Sequence, residues 1–210
     1  QELHVLLFSI LIHSDDLPKD IFPFILPTID NLLQNEDIIQ ASNALFILFE
    51  LHEFNIPFDL SLILICEERF IYSIDENIIL QLTTLMKYAP EPPIQYLERI
   101  LRFIDTSNAG IIQNSFSILQ IFKDFWDDDQ KMQIFKYLMD LLNRDPTKNK
   151  NFSFTANTLE VLSRIDRLPI CDTDFFAKIV DMVDVWDNPT VLSAIYTILS
   201  RTLLEDAEIG

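Results

Sequence analysis

Glycine is almost missing from this chain. Of its 210 residues only Gly110 and the terminal Gly210 are glycine. Tight β-hairpins, nucleophile elbows and phosphate-cradling loops all lean on glycine, so fold classes built on them are disfavoured from the start. Cysteine is scarce too: Cys66 and Cys171 stand far apart beside apolar runs. They read as two buried thiols of a reducing compartment, because a disulfide framework needs more cysteines in a shorter chain. Histidine is limited to His4, His13 and His52, none followed directly by Asp, and no pair has zinc-binding spacing. Apolar runs stay well short of the roughly 18 residues that span a bilayer. The opening "HVLLFSILI" is brief and has Glu2 before it, which fits a secretory signal poorly.

Positive charge is the last shortage, and it is uneven. Lys and Arg number 15 against 33 Asp and Glu, a net charge of −18. Through Glu68 the only basic residue is Lys19, facing 12 acids. Such a field repels nucleic acid and anionic lipid and favours basic partners, besides keeping the chain in solution. The expected setting is intracellular, in the cytoplasm or the nucleus, with no membrane insertion and no nucleic acid.

What the chain does have is apolar side chain: 49% of residues are hydrophobic and 17 are Phe, enough to bury a sizeable core. These residues fall into alternating arms with helical spacing. Residues 21–51, "IFPFILPTIDNLLQNEDIIQASNALFILFEL", hold two such arms joined by the polar step Gln34-Asn35-Glu36-Asp37. Second arms begin at Asp37, Asp75, Asn108, Asn151 and Asp187. Each start offers a side chain that can accept from the free N–H groups of a first helical turn. Their partners begin near Lys19, Pro57, Pro92, Asp127 and Asp172, with Pro57, Pro92 and Pro93 suited to an opening turn. "FWDDDQ" has the form of a hydrophobic staple with a capping box between Asp127 and Gln130, and "VWDNPT" repeats its Trp-Asp step. The polar stretch "NRDPTKNKN" reads as a surface loop.

A helical hairpin that recurs in this way predicts an all-α chain, a solenoid of about five and a half stacked units. The hairpins cover residues 19–54, 57–88, 92–125, 127–166 and 172–204, with 1–13 a partial first unit, as one domain over 1–210. One hairpin cannot bury both its apolar faces, so neighbours must stack. The apolar opening and the absence of an initiator Met suggest a piece of a longer repeat protein with further repeats beyond that end.

The segment "FPFILPTIDNLLQNEDIIQASNALFIL" resembles a HEAT repeat, with prolines in the outer helix and a short Asp-bearing turn before the inner one. "ANTLEVLSRI" and "ASNALFILFEL" also resemble the last helix of armadillo repeats. Ile39 and Gln40 stand where many HEAT repeats carry Arg, so the choice between the two stays open. The resemblance implies a right-handed superhelix that binds partners on a concave surface lined by second helices. Nuclear transport receptors, vesicle-coat adaptors and phosphatase scaffolds share this build.

On that surface the expected contact residues are Asn43, Ile47 and Glu50, then Gln81 and Thr84, then Ser117, Gln120 and Asp124. Asn157, Glu160, Arg164 and Ser193 continue the series. Each lies opposite an apolar face such as Ala41, Ala44, Leu45, Leu48 and Leu51. The rung Asn43, Gln81, Ser117, Asn157, Ser193 carries amides and hydroxyls able to bond a peptide backbone. The predicted ligand is a protein or peptide with a basic or amphipathic segment. The Trp pairs of importin-type grooves are missing from these helices.

The competing class is an all-α enzyme, and its signatures fail one by one. "DDDQK" at 127–131 ends in Lys131 where the Asp-rich motif of prenyl-transfer enzymes has Asp. "DTDFFAKI" lacks the sixth-position Gly of a calcium loop. "HSDD" at 13–16 reads as an exposed polar turn. The expectation is a non-catalytic chain that needs no metal and no cofactor.

Overall fold

Several helices of this protein, those that start at Ile38, Glu76, Ala109, Asp128 and Pro189, begin where an acidic or amide side chain turns back on the backbone. The computed structural model describes residues 22–144, 152–164, 177, 179–181 and 188–207. Among them there are no strands. The elements are α1 (Phe22–Leu33), α2 (Ile38–Glu53), α3 (Ser61–Phe70) and α4 (Glu76–Met86). A 3-10 turn over Ile94–Tyr96 leads into α5 (Leu97–Phe103), followed by α6 (Ala109–Ile121) and α7 (Asp128–Arg144). Last come α8 (Phe152–Arg164) and α9 (Pro189–Ala207).

The caps are local chemistry and fall where the sequence puts them. Asp37 accepts from Ile39 N–H at 2.9 Å, Asp75 from Asn77 N–H at 2.8 Å, and Asn108 from Gly110 N–H at 3.0 Å. At α7 the capping box closes in both directions: Gln130 N–H donates to Asp127 at 2.8 Å, and Asp127 N–H donates to Gln130 Oε1 at 2.9 Å. Trp126 is buried just before it and donates its indole N–H to the Leu119 carbonyl at 3.1 Å. Two starts differ from expectation. The cap of α9 is Asn188, which accepts from Thr190 N–H at 2.9 Å, with Pro189 as the first helical residue. Pro57 lies four residues ahead of α3, where Asp59 accepts from Ser61 N–H at 2.9 Å and delays the helix. The expected starts near Lys19, Asn151, Asp172 and Asp187, with Trp186 and Cys171, lie outside the described residues. Of the polar stretch 143–151 expected as a loop, Asn143 and Arg144 instead end α7, and the rest lies outside the described residues too.

A chain with so little glycine must end its helices by other means. After α2 the chain turns through Asn55, at φ 54°, a left-handed conformation that Asn tolerates better than most residues. Asn55 N–H donates to the His52 carbonyl at 2.9 Å and Ile56 N–H to that of Leu51 at 2.8 Å, the two bonds of a Schellman motif. Asn55 does there what glycine does elsewhere. α1 runs through Pro27.

The described residues through Asn114 belong to one compact unit and those from Ser115 to another. In the first, α1 packs on α2 and α3 on α4, and across the hairpins α2 packs on α4 and α1 on α3. Its core includes Leu33, Leu45, Leu48, Leu51, Ile63, Phe70, Leu82 and Met86. In the second, α7 packs on α8 and α8 on α9. There Phe116 meets Phe154 edge-on, with ring centres 5.7 Å apart, beside Leu159, Leu162 and Ile195.

Candidate functional site

The apolar stripe of α2 is buried as its spacing predicts: Ala41, Ala44, Leu45, Leu48 and Leu51 are all in the core. Asn43 and Glu50, on other sides of the same helix, remain half-buried. Ile47 does not share their position. It is buried with the core residues, because α2 packs on α1 and on α4 and so covers more than one stripe. Ile47 therefore withdraws from the set able to touch a ligand in this conformation. On α4, Gln81 is half-buried like Asn43.

Thr84 has another use. Its hydroxyl donates to the Leu80 carbonyl at 2.8 Å and accepts from the buried Asn114 amide at 2.9 Å. The same amide reaches the Thr83 hydroxyl at 3.3 Å. This ties α4 to the start of α6, where Gly110 allows close approach: a Cβ there would sit 2.8 Å from Leu80 Cδ1. Thr84 is thus an inter-helix tie before it is a ligand contact.

In the second unit Gln120 and Arg164 line one cleft together with Lys123, Trp126 and Lys131. Arg164 also pairs with Glu160 one helical turn earlier, at 2.5 Å. Asp124 is exposed, 3.6 Å from its neighbour Lys123. Ser117 and Asn157 are half-buried, and Ser193 is exposed with its carbonyl accepting from the Thr197 hydroxyl at 2.8 Å. The five expected rungs divide between the units, Asn43 and Gln81 in the first, Ser117, Asn157 and Ser193 in the second.

Compared with protein-family models, with curated proteins and with solved structures, the chain matches none.

The spacing of residues gives no sign of one feature, a pair of arginines that fasten each turn to the hairpin after it. Arg69, near the end of α3, donates to the Asn35 carbonyl in the turn between α1 and α2. Arg99, in α5, donates to the Ile71 carbonyl at 3.0 Å and the Ser73 carbonyl at 3.3 Å, in the turn between α3 and α4. Its guanidinium also lies over the Tyr72 and Phe103 rings, 5.8 and 5.3 Å from their centres. Both satisfy turn carbonyls that a helix end leaves free, with charge-assisted bonds. Arg102, three residues on, is exposed and pairs with Glu98 at 2.5 Å. Nothing in the spacing separates it from Arg99.

Burial shapes the titration of this unit. Glu67 on α3 is buried, and its Oε1 has no hydrogen-bond partner among the described residues. Burial, then the nearby Glu91 charge, push its carboxyl up to about 8. Burial likewise raises the neighbouring Cys66 thiol, with the Glu67 charge adding to it, so this is an inert thiol, not a nucleophile. Burial lowers the Lys87 ammonium while Glu53 opposes that shift. Tyr88 beside it meets the His52 ring of α2 at a tilt of 47°, ring centres 4.3 Å apart. Among the described residues no group of three His, Cys, Asp or Glu side chains is placed to hold a metal ion. No helix there is long and apolar enough to cross a membrane.

Proposed function

We propose that this chain is a non-catalytic protein-interaction scaffold, a right-handed α-solenoid of HEAT or armadillo type that holds a peptide or helical segment of its partner on the face of its second helices. The observation that carries the reading is like-with-like packing. First helices meet first helices (α1 with α3) and second helices meet second helices (α2 with α4, α8 with α9). Hairpins stacked in this manner are what a solenoid requires, since each supplies the apolar wall its neighbour lacks. Side-by-side second helices put Asn43, Glu50 and Gln81 on adjoining helices, each half-exposed. Their amides and carboxylate suit a peptide backbone and its basic side chains. A stacked receptor of this sort is ordered before its ligand arrives, so the entropy of binding falls on the ligand. The buried Cys66 thiol suits the reducing interior of a cell.

The test is affinity capture from lysate with quantitative mass spectrometry, comparing wild type with a folded Asn43→Ala, Glu50→Ala, Gln81→Ala variant. The reading expects a defined set of proteins bound by wild type and lost by the variant. Retention of the whole set would remove the second-helix face as the binding site.

A further inference from the structure

The turns of the first unit carry apolar side chains that the core does not use. Ile38 and Ile39 open α2 at 54% and 66% exposure, and Tyr72 and Ile74 stand in the turn before α4 at 70% and 95%. Isoleucine at 95% exposure in a turn contributes nothing to folding, and large apolar residues clustered in the open mark interaction surfaces. The two turns are neighbours along one edge. Arg69 rises from α3 to the Asn35 carbonyl of the first turn, three residues before Tyr72 of the second. Arg99 clamps the second turn by the Ile71 and Ser73 carbonyls, and Asn108 of the third turn reaches Glu76 at 3.4 Å. The edge is therefore held rigid from behind, and its apolar side chains are presented by a fixed backbone.

Charge decides what fits. From residue 22 to 114 there are four Lys and Arg against thirteen Asp and Glu. Arg69 and Arg99 are turned inward to turn carbonyls, Arg102 is paired with Glu98, and Lys87 is at the other helix ends near Glu53. The edge itself carries Glu36, Asp37, Asp75 and Glu76, all exposed. A second copy of a chain with net charge −18 is repelled from such a surface. An anionic membrane or nucleic acid is repelled in the same way.

We infer that the turn edge formed by Ile38, Ile39, Tyr72 and Ile74 docks a basic amphipathic helical segment of a partner protein. The segment lays its apolar side chains on the isoleucines and Tyr72, and its Lys or Arg heads reach the flanking carboxylates. This surface adjoins the second-helix face, since Ile39 and Asn43 stand one turn apart on α2, but it is built from other side chains. The inference shares with the scaffold reading only that the chain binds protein, and the two fail independently.

The probe is a fluorescent amphipathic model helix of Leu and Lys, with a scrambled peptide of equal composition and a Leu/Glu counterpart as controls. Binding to the full chain is read by fluorescence anisotropy. The expected result is binding of the Leu/Lys helix that weakens from about 0.05 M to about 0.5 M salt, with weaker binding of the scramble and none of the Leu/Glu helix. The Ile38→Ser, Ile39→Ser, Ile74→Ser variant, which leaves net charge unchanged, loses at least about tenfold in affinity, the least that uncovering one isoleucine would cost. Asn43→Ala, Gln81→Ala keeps wild-type affinity for this probe. Glu36→Lys, at an exposed site in the first turn, weakens binding while its melting curve stays that of wild type. Equal affinity of the triple serine variant and wild type overturns the inference, as does equal binding of the scramble, which would mean bulk charge alone. Loss in the Asn43→Ala, Gln81→Ala variant with no loss in the serine variant moves the site to the second-helix face. Self-association of wild type that the serine variant abolishes assigns the edge to a second copy and overturns it too.

Discussion

The two units use their scarce positive charge differently. In the first, Arg69 and Arg99 bond turn carbonyls of the preceding hairpin, so each cation joins parts of the chain roughly thirty residues apart in sequence. In the second, Arg164 bonds Glu160 on its own helix and Lys123 lies near its neighbour Asp124. A guanidinium aimed at a carbonyl stabilises the way one hairpin meets the next and neutralises no carboxylate. A guanidinium paired one turn away cancels a charge and adds little else. Apart from Glu98, which Arg102 pairs one turn away, the first unit therefore keeps its turns fixed and leaves Glu36, Asp37, Asp75 and Glu76 with no cationic partner among the described residues. That combination is what a surface for a basic partner needs.

Glu67 gives this contrast its largest expected effect. Its folded carboxyl titrates at about 8 against 4.5 for the unperturbed group, so the folded state holds this proton more tightly than the unfolded one. The associated stability is fully present below the unfolded value and is lost as pH rises through the folded one. Denaturant titrations between pH 5 and pH 9 should therefore show stability falling by a few kcal/mol. Glu67→Gln, with no proton to lose, should flatten that fall. A wild type equally stable at both ends would mean that water reaches Glu67 in the folded state.

Next in size is the arginine comparison. Arg99→Ala should cost on the order of 2 kcal/mol, because two turn carbonyls lose a charged donor. Arg164→Ala should cost less than about 0.5 kcal/mol, as exposed pairs one turn apart do. Equal losses in thermal melts would erase the distinction between stitching and surface pairing. The helix caps should behave alike in both units: Asp75→Ala and Asp127→Ala should each cost about 1 kcal/mol, since cap chemistry does not depend on what lies beyond the first turn. A larger loss at Asp127 would measure what Gln130's return bond adds.

Legibility in the sequence follows the same line between local and distant. Asp37, Asp75, Asn108 and the Asp127–Gln130 box could be read directly, since cap and capped N–H are two or three residues apart. The core stripe of α2 was readable for the same reason, as periodicity is a property of one helix. Pro57 misled because Asp59, not proline, sets where α3 starts. Ile47 and Thr84 misled because a neighbouring helix, α4 or α6, decides what faces outward. Arg69 and Arg99 carried no signal at all, since their partners are backbone carbonyls, identical at every position of the sequence. The exposed isoleucines were in plain view at Ile38, Ile39 and Ile74, but their exposure becomes visible only once the helices flanking them are paired.

The claim that the first unit's turn edge, and not the whole acidic surface, receives a basic partner is tested most directly by hydrogen exchange of the full chain with and without the Leu/Lys helix. Docking at the edge slows exchange at the amides of residues 35–39 and 71–76 and leaves the amides of α8 and α9 unchanged. Protection spread evenly over both units, or confined to α8 and α9, would contradict it.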